Sequence, residues 1–309
     1  MRIAVASSSL IALPTIERLS QDHEIAQLIS TPDAPAGRGQ VLTPNVFSEY
    51  FASDSRLVKP RNSQELVDGL SNQAIDLAIA IAYGKLLNIE TLTATKFGWI
   101  NLHFSLLPKW RGAAPVQRAM MAGETELGFT IFKLDEGMDT GPIYSQGTYR
   151  LDAHQNAGGV LNVLAENGAE EMPAVLTMIS QGIAPTPQTQ LSTELSGYAL
   201  APKIHKDEAR IDWRNSTQTI HNQIRALNPN PIAWTEFRGN RLRIVSAAKS
   251  ERTLATNECG TVFFDGSEVS VATSDGFLAL GTVLPAGKKE MSAVEWARGM
   301  RITEGDRCQ

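Results

Sequence analysis

Cysteine is almost missing from this sequence. Its 309 residues carry only Cys259 and Cys308, far apart and without Cys or His partners at zinc-ligand spacing. Neither a disulfide framework nor a bound metal is expected, and both thiols should be unpaired. Long apolar runs are missing as well: the longest, Leu77 to Tyr83, falls far short of the roughly 20 residues that span a bilayer, so no membrane partner is expected. The N-terminus lacks the charged region, apolar stretch and small-residue cleavage site of a secretory signal, which predicts a cytoplasmic protein. No G-x-G-x-x-G follows the first predicted strand, and hydride transfer with a dinucleotide loses most of its support. Internal repeats and low-complexity tracts are also lacking.

What is present is material for two cores. With 42% apolar and 20% charged residues, a chain of this length is expected to form two domains. The net charge of −5 is unevenly spread: residues 1–205 hold 14 Lys/Arg against 20 Asp/Glu, and residues 206–309 hold 14 against 13. A polyanion would therefore be met by local clusters such as Arg238, Arg241 and Arg243, or Lys288 and Lys289, with Arg38 in the acidic part.

Short apolar runs alternate with helical patterns in the first half. "RIAVAS", "EIAQLIS", "LVKP", "DLAIAIAY" and "GWINLHF" predict strands, and the segments around 10–20, 45–52, 63–70 and 113–122 predict helices. Such a series implies an α/β fold, a Rossmann-like doubly wound parallel sheet that binds ligands at the carboxyl ends of its strands. Ser7, Ser8 and Ser9 follow the first strand and offer hydroxyls to cap the next helix. "TPDAPAGRGQ", Thr31 to Gln40, should be neither helix nor strand because of its prolines and glycines, which leaves Arg38 on a loop tip. A helix from about 157 to 181 closes a first domain at 1–187, and 188–205 has the Pro/Thr/Ser content of a linker. Residues 206–309, with one helix near 216–227 and several closely spaced short β-like runs, predict a small C-terminal β-barrel of OB-like type.

Two segments carry chemistry. In "NLHFSLLPKWRGAAP" the predicted strand ends with an amide and an imidazole two residues apart, so Asn101 and His103 share a face. "DEGMDTGPI" places three carboxylates within five positions, with Asp139 on a sharply turned loop between Gly137 and Gly141. An amide, an imidazole and a carboxylate in one cleft suit transfer of a carbonyl-bearing group to an amine: the first two stabilise an oxyanion, and the carboxylate fixes the imidazole and relays a proton. No nucleophilic side chain is needed. Ser105 lacks a surrounding G-x-S-x-G and is read as a backbone hydrogen-bonding residue.

The ordered set of Asn101-Leu-His103, Ser105-Leu-Leu-Pro108, Arg111-Gly-Ala-Ala-Pro115 and Asp135-x-Gly137-x-Asp139-Thr140-Gly141 resembles the signature of the 10-formyltetrahydrofolate-dependent formyltransferases. The match extends over nearly the whole chain through "PAGRGQ", "AIAYGKLL", "KIHKDEARIDW", "ALNPNPIAW" and "PAGKKEMSA", as in the members that act on methionyl initiator tRNA. The resemblance implies Asn101, His103 and Asp139 as catalytic residues and Ser105, Leu106, Leu107 and Pro108 as a folate-contacting turn. It further implies Arg38 as the acceptor-stem reader, 1–187 as the catalytic domain and 206–309 as a tRNA-binding domain, where Lys288 and Lys289 would meet phosphates. The same resemblance implies 10-formyltetrahydrofolate as co-substrate, without a metal, and a monomer is expected. One departure is that Ser7-Ser8-Ser9 stands where the family usually has Gly-Thr-Pro. The alternatives are the same chemistry on a glycinamide nucleotide or an amino sugar, and a non-catalytic RNA-binding module. The Arg38 loop combined with a late barrel favours tRNA.

Overall fold

The structure, a computed structural model, describes residues 1–36, 40–188, 199–253 and 258–309. The expected acceptor-stem reader Arg38 therefore lies outside the described residues. Two compact units form, one from residues 1–115, 126–150 and 161–201 and the other from 116–125, 151–160 and 202–309.

In chain order the first half runs β1 (Arg2–Ala6), α1 (Leu13–Leu19), β2 (Glu24–Ile29), β3 (Ala34–Ala36), β4 (Val41–Thr43), α2 (Val46–Tyr50), β5 (Leu57–Val58), α3 (Ser63–Asn72), β6 (Leu77–Ala80), α4 (Ile89–Leu92) and β7 (Trp99–His103). It continues with β8 (Arg111–Gly112), α5 (Pro115–Met121), β9 (Glu126–Lys133), β10 (Ile143–Arg150), α6 (Ala157–Ser180) and β11 (Leu200–Ala201). Seven strands form one sheet in the order β10-β9-β7-β6-β1-β2-β5. The five expected strands are parallel, and their apolar runs are explained by burial: every residue of β6 is buried, as are four of the five in β1. The chain leaves β1 toward β2 on one side and later returns to β6 on the other, so a topological switch point falls between β1 and β6.

Three features differ from expectation. Strands β9 and β10 add an antiparallel edge beside β7, making the sheet mixed. β10, "IYSQGTYR", alternates exposed and less exposed positions as an edge strand does. Within Thr31 to Gln40, expected to hold no strand, Ala34–Ala36 pairs antiparallel with Val41–Thr43. Pro35 is tolerated there because a two-stranded ribbon leaves one edge of each strand unbonded, where a missing N–H costs nothing. Finally, the second unit has a helix at Ala293–Met300 besides the expected one, observed at Thr217–Ala226. Its start is marked by a capping box in which Ser292 and Glu295 satisfy each other's backbone N–H.

Two four-stranded antiparallel sheets make up the second unit. Its chain bends from Asn240–Ile244 into Ala247–Lys249 and from Phe277–Leu280 into Thr282–Pro285, crossing from one sheet to the other each time. At that corner Gly281 N–H donates to Ser246 O and Val245 N–H to Thr282 O, so the sheets join as a small barrel. Trp213, Ile220, Ile224, Phe237, Val271, Leu278 and Trp296 fill it.

The expected linker 188–205 includes β11, whose Leu200 and Ala201 pair in parallel with Arg111 and Gly112 of β8 in the first unit. Behind β7, Gly168 of α6 sits so close to Leu102 that an added Cβ would lie 2.5 Å from its side chain. Leu102 thus occupies the helix-covered face, and Asn101 and His103 take the opposite one.

Candidate active site

At the carboxyl ends of β6 and β7, next to the switch point, lies a cavity of about 470 Å³. Asn101, His103 and Asp139 all line it, together with the loop Ala82–Leu87 and the loop Leu134–Asp139. Leu87, Leu92, Phe104, Leu134 and Met138 make much of its wall apolar, and Tyr83, also in the lining, is buried, which pushes its phenol up to about 12. Flat heteroaromatic rings are held by such walls.

His103 is 6% exposed and stands edge-on to the fully buried Phe132. Its Nε2 is 3.0 Å from the carbonyl oxygen of Trp110. A carbonyl only accepts, so Nε2 carries the proton in the neutral ring and Nδ1 is the lone-pair nitrogen. Nδ1 lies 3.8 Å from Oδ2 of Asp139, near enough for ionic attraction and beyond hydrogen-bond length. That Oδ2 accepts instead from the backbone N–H of Gly112 at 2.8 Å.

One three-residue stretch, Trp110 to Gly112, therefore holds both partners, the histidine through a carbonyl and the aspartate through an amide. The stretch is anchored by the 199–201 segment, since Trp110 N–H donates to Ala199 O and Ala114 N–H to Ala201 O. Gly112 is required at this approach: its φ is +127°, and an added Cβ would meet Ala201 O at 2.5 Å.

The three carboxylates of the "DEGMDTGPI" loop separate by role. Asp135 Oδ1 accepts from Gly137 N–H and from the Thr140 hydroxyl, closing the turn. Glu136 is exposed. Asp139 sits at φ +54°, a left-handed conformation costing a non-glycine residue roughly 1–2 kcal/mol, and its side chain is 15% exposed. Its carbonyl and that of Gly141 both accept from the side-chain amide of Gln188 at 2.8 Å. Gln188 is not among the sequence candidates, because an isolated glutamine in a Pro/Thr-rich stretch gives no signal of a contact 49 residues away.

The turn Ser105 to Pro108 does not line the cavity. Leu107 packs with Phe132 and Ile143, the Ser105 hydroxyl donates to Lys109 O, and Thr130 ties the turn by accepting from Leu107 N–H and donating to Ser105 O. Gln146 donates to both Leu107 O and Thr130. This buried network braces the segment leading to Trp110. On the other side, the Ser8 hydroxyl and N–H both donate to Ala82 O, while Ser7 and Ser9 bond each other and Ser9 caps the following turn. The serine triplet thereby braces a cavity loop. Lys288 and Lys289 are exposed on a turn of the second unit. Among the described residues no helix is long and apolar enough to cross a membrane.

Residues 1–176 match the family described as Formyl transferase, and residues 203–301 match Formyl transferase, C-terminal domain. Methionyl-tRNA formyltransferase of Rhodococcus erythropolis is 39% identical over 316 residues, covering 100% of both chains, and that of Thermobifida fusca is 36% identical, covering 99% of both. Among solved structures, HypX from Aquifex aeolicus in complex with tetrahydrofolic acid shares the fold with a TM-score of 0.67 at 18% identity. That likeness covers 96% of this chain and 47% of the HypX chain. With a cavity at the strand ends, both formyl transferase matches and full-length identity to these relatives, the chain belongs to the methionyl-tRNA formyltransferase family.

Proposed function

We propose that this chain transfers the formyl group of 10-formyltetrahydrofolate to the α-amino group of methionyl initiator tRNA, giving N-formylmethionyl-tRNA and tetrahydrofolate for translation initiation. We further propose that it acts as a monomer in the cytoplasm. The observation that carries the chemical part is the convergence of Asn101, His103 and Asp139 on one cavity whose apolar walls suit a pterin. Loops Ala82–Leu87 and Leu134–Met138 hold that ring in this reading, and the Ser105–Pro108 turn supports the cavity from behind.

The folate supplies a formyl group on a nitrogen that leaves once protonated. The α-amino group titrates near 7.7–8.0 in peptides and lower in an aminoacyl ester, so the nucleophile is largely neutral at working pH. As its lone pair adds to the formyl carbon, the Asn101 amide donates to the developing oxyanion. Neutral His103, with Nε2–H held by Trp110 O, accepts the amine proton at Nδ1. The resulting imidazolium is stabilised by Asp139, donates to the same oxyanion, and returns the proton to the departing nitrogen as the carbon–nitrogen bond breaks. No nucleophilic side chain enters.

For tRNA, Arg38 between Gly37 and Gly39 would read the acceptor end, and Lys288 and Lys289 would meet phosphates. Arg238 serves less well, being paired with Asp306 at 2.7 Å, whereas Arg241 stacks 3.9 Å from the Trp234 ring and pairs with no carboxylate among the described residues. Incubation with labelled 10-formyltetrahydrofolate and a panel of charged tRNAs, with amino-sugar nucleotides alongside, tests the assignment. Label on methionyl initiator tRNA is expected. Label confined to a sugar amine, or to every aminoacyl-tRNA equally, would reject it.

A further inference from the structure

We propose that Gln188 is a positioning residue for the formyl-transfer step, holding Asp139 in the one backbone conformation that aims its carboxylate at His103. The inference rests on the catalytic role given to Asp139 above and extends it to a side chain outside the cavity lining.

Gln188 is 2% exposed, and both its amide bonds go to the Asp139 loop, one to the carbonyl of Asp139 and one to that of Gly141, each 2.8 Å. The amide is delivered from a fixed base. Two residues earlier, Thr186 and Ile143 exchange both backbone hydrogen bonds, at 2.7 and 2.8 Å, which seats the segment against the start of β10. The neck of the loop is closed independently, by Lys133 N–H donating to Pro142 O at 2.9 Å. Gln188 is therefore not needed to form the loop, only to select its inner conformation.

That conformation is the left-handed one of Asp139. Relaxing φ to a negative value would turn the Asp139 carbonyl away from the amide of Gln188 and carry the carboxylate off the Gly112 N–H. The 3.8 Å separation from Nδ1 of His103 would go with it. Charge on Asp139 matters once the imidazole is protonated, and a misplacement near 1 Å costs about 10² in rate where alignment governs a step. Asp135, Glu136 and Lys85 also line the cavity, so the position of Asp139, rather than the presence of negative charge nearby, is what Gln188 controls.

Two substitutions test this on the full-length protein. Gln188→Met keeps the shape and removes both donors, and Gln188→Glu keeps shape and polarity while offering no donor at neutral pH. The first readout is hydrogen exchange of the Gly112 amide, which reports the carboxylate position without any substrate. The second is kcat against KM for 10-formyltetrahydrofolate, with the tetrahydrofolate Kd and Tm of each variant. Positioning predicts lost Gly112 protection, kcat down about 10- to 100-fold, and KM and Kd within about threefold of the parent. Retained Gly112 protection would overturn the clamp. Lost protection with unchanged kcat would overturn the role of Asp139 instead, and with it the proposal. Should Gln188→Met fail to fold, Gln188→Glu decides alone; a fall in Tm and folded fraction at unchanged kcat per folded molecule would make Gln188 merely structural and reject the inference.

Discussion

Oδ2 of Asp139 stands 3.8 Å from Nδ1 of His103 and takes its hydrogen bond from Gly112 N–H instead. The aspartate is thus held beside the histidine by the backbone, ready to stabilise an imidazolium without being bonded to the neutral ring. Asp139→Asn retains an oxygen for the Gly112 amide and removes only the charge. The expected result is a kcat lower by about 10² or more with tetrahydrofolate affinity nearly unchanged. Rapid-quench single-turnover assays and calorimetry on the same preparation check both halves.

Gly112 should tolerate no side chain. Gly112→Ala puts a Cβ 2.5 Å from Ala201 O at a φ of +127°, with strain of roughly 1–3 kcal/mol. Relief would move the amide that holds Asp139, so Tm should fall by several degrees and kcat should fall further than the reduced stability explains. Full activity in this variant would mean that the Trp110–Gly112 stretch does not position the site.

The second unit contains a charge pair with a pH signature. Glu208 receives two bonds from Arg118, at 2.6 and 3.0 Å, and another from His205 N–H at 2.8 Å. The Arg118 hydrogen bond, opposed by partial burial, holds the carboxyl below its ordinary value of 4.5. A depressed folded-state value means stability present above about pH 4.5 and lost as pH falls through the folded value. Glu208→Gln should therefore cost on the order of 1 kcal/mol at pH 7, a modest amount for a partly exposed pair. Thermal melts of both proteins should converge as pH falls through that depressed value, and a gap independent of pH would assign the loss to packing instead.

Lys288 and Lys289 are exposed at the turn after Thr282–Pro285. If they meet phosphates, replacing both with Ala should weaken binding of all tRNAs alike and make the slope of log K against log salt shallower, by about 0.9 for each phosphate no longer neutralised. Binding titrations from low to high salt would show this. An unchanged slope removes them from the interface.

The parallel part of the sheet is legible in the sequence because strands buried on both faces must be apolar along their length, as "LAIA" of β6 is. β10 is not, since its residues are half-exposed and polar and it owes its place to pairing with β9. Ala34–Ala36 is hidden by Pro35, whose penalty disappears only at a ribbon edge. Within the site, period-two alternation puts Asn101 and His103 on one face, and the paired glycines mark the bend that carries Asp139. Gln188, the Gly112 amide and the Trp110 carbonyl leave no such trace. Two are backbone groups common to every residue, and the third gains its meaning only through a contact 49 positions away. Ser105 to Pro108 lies next to the strand end in sequence, yet Leu107 packs against Phe132 and Ile143 and the Ser105 hydroxyl bonds the Lys109 carbonyl, and none of the four is in the cavity lining.

The proposed formyl transfer depends most directly on Asn101 and His103 acting in the chemical step. Single-turnover formyl transfer to methionyl initiator tRNA, measured at saturating 10-formyltetrahydrofolate for the parent, Asn101→Ala and His103→Ala, isolates that step from binding. Each variant should lose about 10²- to 10³-fold in rate while its Tm and tetrahydrofolate Kd stay close to those of the parent. Rates that remain near the parent's, or that fall only in proportion to the loss of folded protein, would contradict the assignment of the reaction to this cavity.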